Sequence, residues 1–364
     1  MSRKRNKFLI ALIILLVAAI IGTLAYIVVK NLNENNERKS LDNIAGSYAS
    51  GIENGTTSAT ESATEVTSPS INVKKVENPI DFKSLQQQNS DIYSWIYIPN
   101  TNVNYPVLQS HLDDNLYLDH DIYKNYSFSG SIYSQMCNKR DYSDRVTVLY
   151  GHNMAVGTFF ACLSEYWRTL YDSYDAPSMQ FYKDHPTITF NTLYEEAEWK
   201  IFGIGLFNIY EEYGEVYYNY NNKHAFTSRD DFNNFIIDLM DRSDIFTDVD
   251  IEYGDDILTL STCYWPFRSD MDNVRLAIFA RKVRPGESTY VDVSKAKVNT
   301  YVKRWQWVYD NIGGGYDWSQ SNWDRRKLLS YTEEDAERDG YTFIDDINDS
   351  DGIYDYNNGD GYDY

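Results

Sequence analysis

Apolar positions gather first in one unbroken run from Phe8 to Val29, preceded by Arg3, Lys4, Arg5 and Lys7 and closed by Lys30. As a helix rising ~1.5 Å per residue, such a run reaches roughly 33 Å, enough to cross a bilayer core of ~30 Å. A cleaved signal peptide has a shorter apolar region of ~7–15 residues and a small-x-small cleavage site. Tyr26-Ile27-Val28-Val29-Lys30 offers no such site. The run is therefore expected to be an uncleaved anchor, and the basic cluster ahead of it sets the N-terminus in the cytoplasm and the remainder outside. Residues 31–77 are rich in Asn, Ser, Thr and Glu without apolar periodicity, so a flexible stalk is expected there.

From Asn78 the pattern becomes that of a folded domain, expected to extend to residue 284. Residues 82–92 read as a helix and 94–98 as a strand. Short apolar runs then recur at 105–108, 130–133, 145–150, 187–191 and 198–206, with turn residues between them. That spacing fits a β-barrel or sandwich. Thr158–Leu170 reads as a helix. Ser228 to Arg242 reads as a second, with Ser228 as N-cap, acids in the first turn, and Phe232, Phe235, Ile236 and Met240 on one face. Two further strand-like runs follow, Leu258–Cys263 and Asn273–Ala280. A mainly β fold with inserted helices, behind one transmembrane helix, is the expectation.

Residues 285–364 break that pattern and form a C-terminal extension. Lys297–Ile312 is expected as an amphipathic helix through Val298, Tyr301, Val302, Trp305, Val308 and Tyr309. From Glu333 to Asp363 there are twelve acids against Arg338 alone, among Tyr, Asn, Asp and Gly, so an acidic, Tyr-rich disordered tail is expected. Asp349-Ser350-Asp351-Gly352 resembles part of a calcium loop, but Ile347 stands where its first ligand belongs.

Composition narrows the function. Hydrophobic residues make up 43% of the 364, ample for a core. The net charge of −21 argues against a nucleic-acid partner, which needs clustered basic surface. Three cysteines, Cys137, Cys162 and Cys263, and five scattered histidines supply neither a disulfide framework nor a zinc ligand set.

Chemistry concentrates at three strand ends. Leu258-Thr259-Leu260-Ser261-Thr262-Cys263 delivers a thiol, Val146 to His152 an imidazole, and Asn273 to Ala280 carries Arg275. A thiol that attacks an amide needs thiolate character, an acid for the leaving amine, and a donor for the oxyanion. Cys263, His152 and Arg275 suit those tasks. Each also has a plainer reading, as a small buried residue, a turn group and a surface charge. His152 precedes Cys263, the reverse of papain-like order, and the Ser-Thr-Cys context differs from that of caspases.

Several motifs together resemble the sortase family, class B. Thr259-Leu260-Ser261-Thr262-Cys263 is similar to its TLxTC signature. Tyr150-Gly151-His152-Asn153-Met154 with Gly157-Thr158-Phe159-Phe160 resembles its histidine segment. Val274-Arg275-Leu276 with Ala280-Arg281-Lys282-Val283 resembles its arginine segment. Trp95 to Pro99, Asn104 to Val107, Leu118 to Asp121 and Gly130 to Tyr133 add to the likeness, which spans about residues 78–283. The resemblance implies an eight-stranded β-barrel with a helix-bearing insertion before the cysteine strand. It also implies cysteine transpeptidation with Cys263 as nucleophile, His152 as general acid and base, and Arg275 stabilising the oxyanion, with Arg268 as its rival.

On the same footing, the substrate would be a surface protein bearing an NPxT-like sorting signal, cleaved at a Thr carbonyl. The acceptor would be an amine of a peptidoglycan precursor or stem peptide. No metal or organic cofactor is implied. Thr262, Tyr264 and Trp265 are expected beside the substrate. Tyr264-Trp265-Pro266-Phe267 stands where relatives often have an acidic residue and Tyr or Glu after the cysteine. Two other functions stay open at this point: pilin polymerisation, and a non-catalytic surface protein binding through its acidic tail. A Cys137–Cys162 disulfide is compatible with the compartment.

Overall fold

The computed structural model describes residues 2–49, 79–171, 179–217, 219–266, 274–299, 301–312 and 323–341. Eight strands close a barrel: β1 (Ile92–Tyr97), β2 (Asn104–Leu108), β3 (Ile132–Tyr133), β4 (Val146–Tyr150), β5 (Thr187–Thr192), β6 (Glu198–Phe207), β8 (Ile257–Tyr264) and β9 (Val274–Lys282). A two-residue strand β7 (Ile245–Phe246) lies outside the barrel. The order around the barrel is β1-β2-β3-β4-β8-β9-β6-β5. Pairing is antiparallel except at β2–β3 and β4–β8. The expected eight-stranded barrel is therefore present, each strand falling on or beside an apolar run read from the sequence.

Period-2 alternation divides these strands between two apolar clusters. On β8 and β9, Leu258, Leu260, Leu276, Ile278 and Ala280 join one cluster, and Ile257, Ala277 and Phe279 the other. On β4, Leu149 joins the first, and Val146, Val148 and Tyr150 the second. Helix α5 (Arg229–Asp241) buries Phe232, Phe235, Ile236, Leu239 and Met240 in the second cluster. Its N-cap is the expected Ser228, whose side chain accepts from the Asp231 amide at 3.1 Å. The helices α3 (Leu163–Tyr171) and α4 (Gln180–Asp184) pack on the first cluster through Leu163, Tyr166, Trp167 and Tyr182. α3 starts five residues later than its pattern indicates, because Asn153 to Ala161 is taken up by the turn after His152. The helix α2 (Phe82–Gln88) is likewise shorter than expected, ending at Asn89 so that β1 can begin.

Three expectations change. Helix α1 (Ser2–Tyr48) continues through the first part of the expected stalk, and residues 50–77 of the stalk lie outside the described residues. Its face toward the domain is Glu34, Glu37, Leu41, Ile44, Ala45 and Tyr48, with Ile44 buried and Tyr48 O accepting from the Asp81 amide. The 3–4 spacing of Leu41, Ile44 and Tyr48 is a helical stripe, obscured in sequence because two of the inward positions are acids. Lys297–Ile312 is not one helix. Lys297–Val298 is strand β10, paired with β7, and only Gln306–Asn311 is helix α6. Asn299 Nδ2 donates to Ser243 O at 2.8 Å and Arg304 is ion-paired with Asp244, which holds the intervening chain extended. The acidic tail also begins as structure. α7 (Glu333–Arg338) has a capping box between Thr332 and Asp335, and buries Asp335 and Ala336. Residues 342–364 lie outside the described residues.

Candidate active site

Cys263 and Arg275 are directly opposite on the antiparallel pair β8–β9. Opposed residues share a face of the sheet, so the guanidinium and thiol project together. Arg275 Nη1 donates to Cys263 Sγ at 3.0 Å. Both side chains stand on the face of Ala277 and Phe279, at the end of the strands where packing thins and Cys263 is half-buried.

His152 reaches the same place from β4. That strand runs parallel to β8 with Tyr150 opposite Ser261, and continuing the register two residues brings His152 level with Cys263. Its parity with Val146, Val148 and Tyr150 puts it on the thiol's face. Three bonds extend the junction beyond the ladder. Gly151 N donates to Ser261 O at 3.3 Å, Thr262 Oγ1 to Gly151 O at 2.7 Å, and Asn153 Nδ2 to Cys263 O at 3.0 Å. Glycine at 151 lets these strands approach, since a Cβ there would lie 2.3 Å from Ile132 Cδ1 and 2.8 Å from Phe160 Cδ2 and both side chains would have to shift. The turn that follows closes through Phe160 N to His152 O, and carries Phe159 at φ +56°, a strained conformation for a non-glycine residue.

The imidazole is itself held. His152 Nε2 lies 2.8 Å from Leu118 O, a group that only accepts, so Nε2 carries the proton in this bond and Nδ1 is the other ring nitrogen. Phe128 lies parallel to the ring at 6.3 Å between centroids and 8° between planes, while itself 69% exposed. In sequence, Leu118 had no role beyond its place in the likeness of Leu118 to Asp121, and Phe128 was not singled out. The backbone carbonyl of one leaves no residue-type signal, and the other reads as an isolated loop aromatic.

The remaining expected site residues divide. Thr262 is buried and its hydroxyl is engaged with Gly151, so it ties the cysteine strand to the histidine segment. Tyr264 is half-buried and edge-on to Trp167 at 5.6 Å. Trp265 is 58% exposed, two residues past the thiol. Arg268 lies outside the described residues. Cys137, Cys162 and Cys263 are all free thiols. Burial pushes the Cys162 thiol up to about 12, which removes it as a second nucleophile.

The arrangement can do acyl transfer: a thiol, a guanidinium against it, and an oriented imidazole at the same level on the neighbouring strand. Comparison with known proteins agrees. The family model of the sortase domain matches residues 96–283. Sortase B of Listeria monocytogenes is 30% identical over 183 residues, covering 50% of this chain and 67% of that protein. Sortase B of Staphylococcus aureus is 29% identical over 182 residues, again covering 50% and 67%. A solved Staphylococcus aureus sortase B–substrate complex is similar at a TM-score of 0.46 and 28% identity, over 56% of this chain and 84% of that one.

Proposed function

The chain belongs to the sortase family, within class B, as a cysteine transpeptidase of the cell surface, and on that premise we propose that Cys263, His152 and Arg275 carry the reaction on a surface protein's NPxT-like sorting signal. The Cys263 thiolate attacks the Thr carbonyl carbon, and Arg275 takes up the charge developing on its oxygen. As the C–N bond breaks, the His152 imidazolium gives its Nδ1 proton to the leaving amine, with Nε2–H kept on Leu118 O. A thioester to Cys263 and a neutral imidazole remain. An acceptor amine, from a peptidoglycan precursor or stem peptide, then attacks the thioester. Its proton passes to His152, and the C–S bond breaks to restore the thiolate.

Trp265 and Tyr264 form the wall that the signal passes. Helix α1 spans the membrane through its apolar half, with its N-terminus cytoplasmic and the barrel outside; Leu12–Tyr48 contains a window apolar enough for that role. The single observation supporting the chemistry is the 3.0 Å Arg275–Cys263 contact at the level of His152. The test is cleavage of NPxT-type peptides by the full chain in detergent micelles, with and without an added stem-peptide amine. Wild type should give a Cys263 thioester visible by mass spectrometry, and Cys263→Ala should give neither adduct nor cleavage. Cleavage surviving in that variant would overturn the assignment of the nucleophile.

A further inference from the structure

Helix α1 touches the domain at a place where polar burial demands an explanation. Ser129 is buried, and a buried hydroxyl needs a partner. That partner is Glu37 of α1: its Oε2 accepts from Ser129 Oγ at 2.6 Å, and its Oε1 accepts from Ser127 Oγ at 2.6 Å. One carboxylate thus clamps both residues flanking Phe128, whose ring lies parallel to the His152 imidazole.

The clamped loop also braces the segment that carries the other group on His152. Ser127 N donates to Asp119 O at 2.8 Å and Ser131 N to Tyr117 O at 2.9 Å, so residues 127–131 lie against 117–119. Between those two bonds sits Leu118 O, the acceptor for His152 Nε2. The loop turns at Gly130, φ +58°, where a Cβ would come within 2.4 Å of that same Leu118 O. Phe128 and Leu118 O, the two groups against the imidazole, thus lie respectively on a loop tied to α1 and on the segment that loop braces. Leu41, one turn on, packs against the cluster holding Tyr105 and Phe159, in the turn after His152.

We infer that Glu37 is a positioning residue: through Ser127 and Ser129 it fixes the loop that sets the tautomer and plane of His152, so that the anchor helix is part of the catalytic apparatus. The inference rests on His152 being the proton donor of the proposed reaction. Glu37 lies well outside the matched sortase domain, residues 96–283, so it is a feature of this chain's anchor and not of the catalytic domain alone.

The experiment uses the full chain in nanodiscs with ring-15N histidine, His152 being assigned by comparison with His152→Gln. In wild type at a pH where the ring is neutral, nitrogen shifts should report the Nε2–H tautomer. In Glu37→Ala they should move toward a mixture of tautomers. With an NPxT-type peptide, Glu37→Ala should lower kcat about tenfold, leave KM within twofold, and displace the pH profile of kcat. Ser127→Ala with Ser129→Ala should reproduce all of this, adding Glu37→Ala to that pair should cost nothing more, and Glu37→Gln should recover most of the rate. Should Glu37→Ala fail to fold, the serine pair and Glu37→Gln carry the same criteria.

An unchanged tautomer in Glu37→Ala and the serine pair overturns the inference, as does a loss confined to KM or losses that multiply. Failure of the proposed function looks different. It would appear as a wild-type protein inert to every sorting peptide, while the histidine shifts still respond to Glu37.

Discussion

Two arginines stand on one face of β9, and their surroundings are opposite. Arg281 is fully buried, with Nη2 donating to Asp250 Oδ1 at 2.6 Å and to Glu287 Oε1 at 2.7 Å, and Nη1 to Glu287 Oε2 at 2.7 Å. Arg284 binds Asp255 through two parallel bonds of 2.8 and 2.7 Å and reaches Asp250 at 2.8 Å, and Lys200 meets Glu287 at 2.6 Å. Arg275, at the other end of the strand, is half-buried and donates to a sulfur. An arginine whose donors are matched by carboxylates has nothing left to offer a new negative charge. Arg275 is set against the thiol itself, so the donor it gives Cys263 Sγ is placed to turn to an oxyanion formed there. The same residue type is thus a structural tie at one end of β9 and, as proposed, a catalytic group at the other.

The comparison breaks if the two arginines can exchange roles. Arg281→Met should carry the largest cost, about 3–5 kcal/mol of stability, because it leaves Asp250 and Glu287 without their buried partner. Chemical denaturation would read it, and kcat/KM of the folded fraction should stay within about twofold. Arg275→Ala should do the reverse, lowering kcat/KM about 10²–10³-fold in peptide cleavage while the denaturation midpoint hardly moves. A stability loss at Arg275 matching that at Arg281 would erase the distinction.

Acid sharpens the contrast next. The Arg281 bonds hold Glu287 well below the usual carboxylate range. Burial pushes Asp250 up, but the bonds from Arg284 and Arg281 outweigh it and leave this group low as well. Both acids bind fewer protons folded than unfolded, so their stabilisation is whole above the ordinary carboxylate range of ~4 and is lost as pH falls below it. The melting temperature should therefore begin to drop near pH 5 and keep dropping through about pH 2, and Glu287→Gln should flatten that slope. The smallest expected effect is at the junction of the catalytic strands. Thr262→Val leaves Gly151 O without its hydroxyl donor, and should cost about 1–2 kcal/mol in denaturation with less than a tenfold fall in kcat.

The catalytic end was legible in sequence because its signals are local. β4, β8 and β9 are short apolar runs, and each places its functional residue at a strand terminus where period-2 patterning stops. What holds those residues in place was not legible. Leu118 acts through its carbonyl, Phe128 through a stacking contact across a loop, and Thr262 through a bond to a residue distant in the chain. The extension after the barrel escaped for a related reason. Trp305 and Val308 are buried but belong to a helical stripe that the extended chain at Lys297–Val298 interrupts, and Leu328, Tyr331 and Ala336 are buried too far apart to leave a periodic trace. Glu34 and Glu37 disguised the docked face of α1, since inward acids read as solvated until their partners are seen.

The unbroken course of α1 sets a distance. From Lys30, where the apolar run stops, to Glu37, where the helix grips the domain, is about 10 Å along the axis at ~1.5 Å per residue. With α1 spanning the bilayer as proposed, the enzyme works like a tool on a short rigid post, and its thiol is kept near one altitude over the lipid. A sorting signal is then selected twice, by its sequence and by how far its cleavage point stands from the membrane that holds it. Inserting two helical turns between Lys30 and Glu34 would raise the post without touching the cleft, and should shift the preferred spacing between signal and membrane segment in the substrate.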